Sequence, residues 1–170
     1  MSLEEYNKKR DFTITPEPVS GKSDGKEKIF VVQLHDASHL HFDFRLEMDG
    51  VLKSWAVPKG PSMNHKDKRL AVMVEDHPLD YAKFSGTIPK GEYGAGTVEI
   101  WDSGTWELSP MNPDPDSALK EGVFKFILKG NKLKGTFALI RLTKVKNGWL
   151  LIKEKDEYMV STVYNAYDIK

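Results

Sequence analysis

A closed, antiparallel-rich β-barrel with one or two short helices and an N-terminal arm is the fold class this sequence predicts, and three observations predict it. Short apolar runs recur at regular spacing from Ile29 onward. Glycine and proline punctuate the gaps between them. One run alternates strictly, with His41, Asp43, Arg45 and Glu47 on one parity and Phe42, Phe44, Leu46 and Met48 on the other. Side chains of a strand alternate faces, so that run buries its apolar set and lines up the polar one opposite. Many short strands with turn signals between them favour a barrel or sandwich.

The elements follow in order. Residues 1–28 form a polar arm, in which Thr15-Pro16-Glu17-Pro18 and Ser20-Gly21-Lys22-Ser23-Asp24-Gly25 read as loop punctuation. A short helix over 3–10 fits there, capped by Ser2 with Glu5 three residues on. The rest of the arm is expected to lack regular structure unless it wraps the body. The barrel occupies residues 29–160. Its strands are expected at Ile29 to Leu34, His41 to Met48, Val51 to Val57 and Leu70 to Glu75. Asp49-Gly50 is a strong two-residue hairpin signal. Asp76 to Phe84 reads as a loop with at most one helical turn. Thr97 to Trp101 is a strand with a return at Gly104-Thr105-Trp106, and Pro110 to Ser117 is a loop in which Asp116 or Ser117 caps a short turn. Val123 to Leu128, Leu133 to Leu142 and Trp149 to Lys153 complete the strands. Residues 161–170 form a C-terminal tail without a clear pattern. Trp55, Trp101, Trp106 and Trp149 are expected in the barrel core.

Composition bounds the function. A chain of 170 residues with 39% hydrophobic and 29% charged residues suits one globular domain. No apolar run is long enough to span a bilayer, and the acidic, polar N-terminus shows no signal peptide. Cysteine is absent, which excludes disulfides, thiolate zinc sites and a cysteine nucleophile and agrees with a cytoplasmic location. Net charge is zero, which counts against a large duplex footprint. Basic residues nevertheless concentrate between Lys120 and Lys155, leaving room for a small footprint on a strand end or single strand.

The chemistry sits in His35, His41, Asp43, Arg45, His77 and Tyr81. His41 and Asp43 project from one strand face, and His35 comes from the neighbouring strand or its turn. Two imidazoles and a carboxylate make a three-ligand metal site with open positions. That donor set suits Mn, Fe, Zn or Co better than Mg or Ca. Arg45 lies two residues further along the same face, and its guanidinium matches phosphate bidentately. Lys59 and Arg69 can add positive charge from nearby. His77 and Tyr81 can both donate hydrogen bonds, and His77 can protonate a leaving oxygen. Gly91-Glu92-Tyr93-Gly94-Ala95-Gly96 is glycine-rich, but no helix follows it, so it predicts a tight turn or bulge rather than a phosphate loop.

Two other readings compete. His41 and Asp43 with a distant His77 imitate the two-His-one-carboxylate triad of a non-haem iron oxygenase. The basic strands with exposed aromatics suit a non-catalytic nucleic-acid end-binding module.

Four stretches carry a resemblance: His35 to Glu47, Leu52 to Pro61, Val74 to Tyr81 and Ile88 to Thr97. Together they resemble the 3′-phosphoesterase domain of bacterial DNA ligase D, over about Arg10 to about Lys155. The resemblance implies a β-barrel with a crescent-shaped site. It implies a Mn²⁺-dependent enzyme of nonhomologous end joining, with Co²⁺ or Zn²⁺ as other possible metals. Such an enzyme removes a terminal 3′ ribonucleoside from a primer strand and then hydrolyses the remaining 3′-phosphate to a 3′-hydroxyl. By the same resemblance, His35, His41 and Asp43 hold the metal. Arg45, His77 and Tyr81 contact phosphate, with Lys59 and Arg69 assisting. Arg10, Asp11 and Glu17 resemble functional positions, which implies that the arm folds back over the site. The expected partners are DNA or RNA/DNA primer-template 3′ ends, with a separate ligase and polymerase, since the chain resembles a stand-alone phosphoesterase.

Overall fold

The computed structural model describes residues 2–18 and 28–170. The strands are β1 (Ile29–Asp36), β2 (Leu40–Met48), β3 (Val51–Val57), β4 (Arg69–Pro78), β5 (Gly86–Ile88), β6 (Gly96–Leu108), β7 (Val123–Gly130), β8 (Lys134–Arg141) and β9 (Gly148–Lys153). They pair antiparallel in the order β1-β2-β3-β4-β9-β8-β7-β6, and β6 returns to β1. Eight strands therefore close a barrel, and β5 is an extra strand on β6.

The alternation along β2 sets the inside of that barrel. Phe42, Phe44, Leu46 and Met48 point inward and meet Phe30 and Val32 of β1, Trp55 and Val57 of β3, and Phe126 and Phe137 across the ring. The rings pack on one another: Phe44 lies 5.9 Å from Phe126, and Phe126 lies 6.2 Å from Phe137, centroid to centroid. Each fully buried ring contributes roughly 1.5–3 kcal/mol through apolar burial. All four tryptophans join this core, as expected. At the Asp49-Gly50 turn both residues have positive φ, 52° and 81°. That backbone matches the strand twist and delivers β3 in register, with Met48 opposite Val51.

Three segments differ from expectation. Gly104 to Trp106 does not turn back; β6 runs unbroken for 13 residues. Gly104 is opposite Gly130, and a Cβ there would stand 2.1 Å from the Lys129 carbonyl oxygen. The glycine signals close approach of two backbones rather than a return. The helix α2 (Pro115–Glu121) is capped by Asp114, not by Asp116 or Ser117. Asp114 Oδ1 accepts the Ser117 amide at 2.8 Å, Pro115 opens the helix, and Gly122 ends it at φ 84°. The strand β4 runs on through Pro78 before a 3₁₀ turn at Leu79–Lys83, so part of the expected loop is strand.

The arm packs against the outside of the barrel. The helix α1 (Leu3–Lys8) starts where Ser2 Oγ accepts the Glu5 amide at 3.4 Å. Its Tyr6 is fully buried in a second apolar cluster with Val31, Leu52, Tyr81 and Ala82. The loop expected at Ser20 to Gly25 lies outside the described residues. The C-terminal tail is also tied down. Trp101 Nε1 donates to the Ile169 carbonyl at 2.6 Å, and the Tyr167 ring lies 4.7 Å from Phe42. No helix among the described residues is long and apolar enough to cross a membrane.

Candidate active site

The outward face of β2 becomes a floor rather than a solvated surface, because the arm and the 3₁₀ turn cover it. Asp43 and Arg45 are buried there, 5% and 2% exposed. Register places the neighbours: His35 is opposite His41, Gln33 opposite Asp43, and Ser54 opposite Arg45.

His35, His41 and Asp43 form a cluster whose ligand atoms all lie within 4.8 Å of one another. His35 Nδ1 is 3.4 Å from Asp43 Oδ2, and His41 Nε2 is 3.3 Å from Asp43 Oδ1. The far nitrogen of each ring is occupied. His35 Nε2 donates to the Gly94 carbonyl at 2.6 Å, and His41 Nδ1 donates to the His39 carbonyl at 2.9 Å. Those bonds orient both rings so that the inward nitrogens face Asp43, where a bound ion would take the place of their protons. Burial opposes the charge of Asp43, but the Arg45 guanidinium and the two imidazoles outweigh it and hold its carboxyl far below the usual range. At His41 burial opposes the imidazolium, and the Asp43 contact outweighs it, so its pKa is raised. The donor set fits a divalent transition ion, with a carboxylate already ionised and two oriented imidazoles.

Arg45 is fixed beside this cluster. Its Nε donates to Gln33 Oε1 at 2.7 Å, and its Nη2 lies 3.2 Å from Asp43 Oδ2. Its Nη1 is buried and has no hydrogen-bond partner among the described residues. A buried, charged donor left open is costly unless an anion completes it. Gln33 in turn donates to the carbonyls of Tyr81 and Phe84, docking the 3₁₀ turn on β1.

His77 reaches the same face through a break in register. Ser54 is opposite Val74, yet Leu52 is opposite His77, so β4 carries one extra residue there. This bulge turns His77 to the outside with Val74 instead of into the barrel. His77 Nδ1 donates to the Glu75 carbonyl at 2.9 Å, and its Nε2 faces Arg10 Nη2 at 3.4 Å. Burial, then Arg45 and Arg10, push its pKa well below the ordinary histidine value. In the free protein His77 therefore presents a lone pair, not a proton, to the cleft.

The arm closes the far side. Arg10 Nε donates to Glu17 Oε2 at 2.8 Å, and its Nη1 reaches Glu75 Oε1 at 3.3 Å. The Tyr81 hydroxyl also donates to Glu17, and burial chiefly raises its pKa. The resulting cleft holds about 330 Å³ and is lined by Arg10, Glu17, His35, His41, Asp43, Arg45, His77 and Tyr81, with Glu75, Tyr93 and Gly94 among others.

The remaining expected site residues lie elsewhere. Lys59 is exposed in the turn after β3. Arg69 donates to the Tyr164 carbonyl at 2.7 Å and pairs with Asp67 at 3.3 Å, which ties down the tail. Asp11 is exposed and accepts the Thr13 amide and hydroxyl. None of the three lines the cleft in this geometry. Part of the basic stretch is paired, through Lys125 with Glu154, Lys129 with Glu107 and Lys153 with Asp156. Sequence reasoning missed Gln33, Glu75 and the Gly94 carbonyl. A glutamine in an otherwise apolar strand was the one available signal. The iron-oxygenase triad does not assemble, since His77 is bonded to Glu75 and Arg10, and the residue grouped with His41 and Asp43 is His35.

Fold and site together define a β-barrel with a metal-competent, anion-accepting cleft on its outer wall. Residues 33–141 match the model of the DNA ligase D 3′-phosphoesterase domain. The chain is 54% identical over 160 residues to the multifunctional non-homologous end joining protein LigD of Pseudomonas aeruginosa, covering 91% of this chain and 19% of that protein. It is 45% identical over 157 residues to the LigD protein of Mycobacterium tuberculosis, covering 91% of this chain and 20% of that protein. For the LigD protein of Mycolicibacterium smegmatis the identity is 46% over 162 residues, again covering 91% of this chain and 21% of that protein. This chain belongs to the DNA ligase D 3′-phosphoesterase domain family. It spans about a fifth of the length of these curated relatives.

Proposed function

We propose that this domain is a Mn²⁺-dependent phosphoesterase that processes DNA 3′ ends, removing a 3′-terminal ribonucleoside and then the 3′-phosphate to leave a 3′-hydroxyl. One observation carries the reading. The His35–His41–Asp43 cluster and the open Nη1 of Arg45 face a single cleft.

The residues divide the work. His35, His41 and Asp43 would hold the ion, and their donor set suits Mn²⁺, Co²⁺ or Zn²⁺. A bound ion supplies Lewis-acid polarisation of a phosphoryl oxygen and acidifies a water. Arg45, already oriented by Gln33 and Asp43, offers its free N–H to a second phosphoryl oxygen. An incoming phosphate favours the imidazolium of His77, so His77 gains a proton as substrate binds and donates Nε2–H to the phosphate. Arg10 adds a cation from the arm, and Glu17 holds both Arg10 and Tyr81 in place. Lys59, Arg69 and Asp11 lie outside the cleft, so their part would be to contact the strand beyond it.

The substrates are DNA or RNA/DNA primer-template ends. A 3′-hydroxyl is what a polymerase or ligase needs, so both enzymes are its partners in end joining. That work belongs in the cytoplasm.

The test is product analysis. A 5′-labelled primer ending in one ribonucleotide is incubated with and without Mn²⁺. The expected products are a 3′-phosphate strand and then a 3′-hydroxyl strand, in the Mn²⁺ sample alone. An unchanged primer with Mn²⁺ present would reject the proposal.

A further inference from the structure

We propose that Tyr93 is the stacking platform for the terminal nucleobase of the bound strand, a reading that rests on the proposed end-processing function. Two phenol rings line the cleft among the described residues. Tyr81 is 2% exposed, and its hydroxyl is spent on Glu17. Tyr93 is 48% exposed. Tyr93 is a large, open aromatic ring in a cleft that holds the charged and imidazole groups beside small and aliphatic side chains such as Ala37, Ala56, Val74 and Ile88, and it is a surface that phosphate and metal chemistry do not use. A nucleobase next to the scissile phosphate needs such a surface.

The ring is held in place before any ligand arrives. Lys9 Nζ lies 4.6 Å from its centroid and 3.4 Å from its hydroxyl, and the Arg10 guanidinium carbon lies 5.4 Å from the centroid. Both cations reach it from the arm. They polarise the ring and also offer charge to a strand stacked on it. The turn that carries Tyr93 is fixed as well. Its neighbour Gly94 accepts His35 Nε2–H at 2.6 Å. Gly96 sits so close to β1 that a Cβ would stand 1.9 Å from the Asp36 carbonyl oxygen. Tyr93 is thus one residue from the atom that orients a metal ligand. Tyr93 and Arg45 line the same cleft, so a base on this ring and a phosphate at Arg45 would share one binding space. Stacking tolerates any base, which suits an enzyme that meets ends of arbitrary sequence.

The experiment reads stacking and catalysis separately. A primer carrying 2-aminopurine at its 3′ terminus is titrated with metal-free wild-type protein, Tyr93→Ala and Tyr93→Phe. Stacking quenches 2-aminopurine emission. Quenching is expected with wild type and Tyr93→Phe and lost with Tyr93→Ala. In turnover with Mn²⁺, Tyr93→Ala should raise KM between about 5-fold and about 100-fold for a terminus with a base. For a terminus with an abasic ribose, the same variant should equal wild type. A half-exposed ring leaves the melting temperature unchanged, which circular dichroism checks. Equal quenching by Tyr93→Ala, or equal losses on both termini, would overturn the platform. A wild-type protein that quenches but never cleaves would overturn the phosphoesterase reading and leave the platform standing.

Discussion

The Tyr81 hydroxyl donates to Glu17 Oε2 at 2.7 Å and thereby joins the arm to the turn that follows β4. The same carboxylate accepts Arg10 Nε at 2.8 Å and, on its other oxygen, the Thr15 hydroxyl at 2.9 Å. Glu17 is buried, so these bonds are shielded from water. Glu17→Ala leaves Arg10 charged and buried beside a phenol without an acceptor. Removing one partner of a buried pair costs about 3–5 kcal/mol. Urea unfolding should show a loss of that order, and limited proteolysis should cut between Arg10 and Pro18 in the variant first. Wild-type stability would mean that Tyr6 packing and the Glu75 ion pairs with Lys9 and Arg10 hold the arm without Glu17.

Arg45 is expected to be irreplaceable by lysine. Its planar fork reaches Gln33 through Nε and Asp43 through Nη2 while Nη1 stays open. An ammonium on a flexible stem cannot serve three directions at once. Arg45→Lys should lower kcat by about 10²–10³-fold, the usual cost of one donor to a developing phosphoryl charge. Mn²⁺ affinity should change far less, since Asp43 keeps a cation beside it. Calorimetric Mn²⁺ titration alongside steady-state kinetics separates the two effects. A variant with wild-type kcat would place the phosphate elsewhere.

How much of this was readable in the chain depends on the kind of signal. The floor of the site was readable because β2 alternates without interruption, and His35 is brought opposite His41 by a short turn. The helix cap at Ser2 was readable because capping is local. The face of His77 was not, because the extra residue in β4 inverts the parity that any alternation argument relies on. Gly104 was misread as a turn because a glycine required by a facing backbone looks the same in sequence as one required by φ. The docking of the 3₁₀ turn by Gln33 and the role of the Gly94 carbonyl depend on partners 48 or more positions away, and Gln33 meets Arg45 only through strand pairing, which no local pattern reports.

The pH dependence of stability should carry the signature of His77. Its folded pKa lies well below the ordinary value of 6.5, with burial as the first cause. Below that value the unfolded chain takes up a proton that the folded protein refuses. Its contribution is therefore fully present above pH 6.5 and lost as pH falls toward the folded pKa. His41 works in the opposite sense, since its raised pKa adds stability that is lost as pH rises. The two overlap, so the observable is a difference. Denaturation midpoints of metal-free wild type and His77→Gln, measured from about pH 7.5 to about pH 5, should diverge. Wild type should lose more stability on acidification. Parallel curves would mean that His77 titrates normally in the fold.

Two glycines in one turn offer a controlled test of how the metal cluster is oriented. Gly94 has φ 76°, and a Cβ there would stand 3.3 Å from His35 Cε1. Gly91 has φ 90°, and a Cβ there would meet nothing within 4 Å. Alanine at either position suffers the left-handed backbone penalty of about 1 kcal/mol. Only at Gly94 does the added methyl also press on the imidazole whose Nε2 is bonded to that residue's own carbonyl. Disturbing a partner that orients a ligand typically weakens metal affinity by about 10–100-fold. Gly94→Ala should therefore show that loss in Mn²⁺ titration, whereas Gly91→Ala should bind Mn²⁺ as wild type does with a similar fall in melting temperature. Equal affinities in the two variants would mean that His35 is oriented without the Gly94 carbonyl.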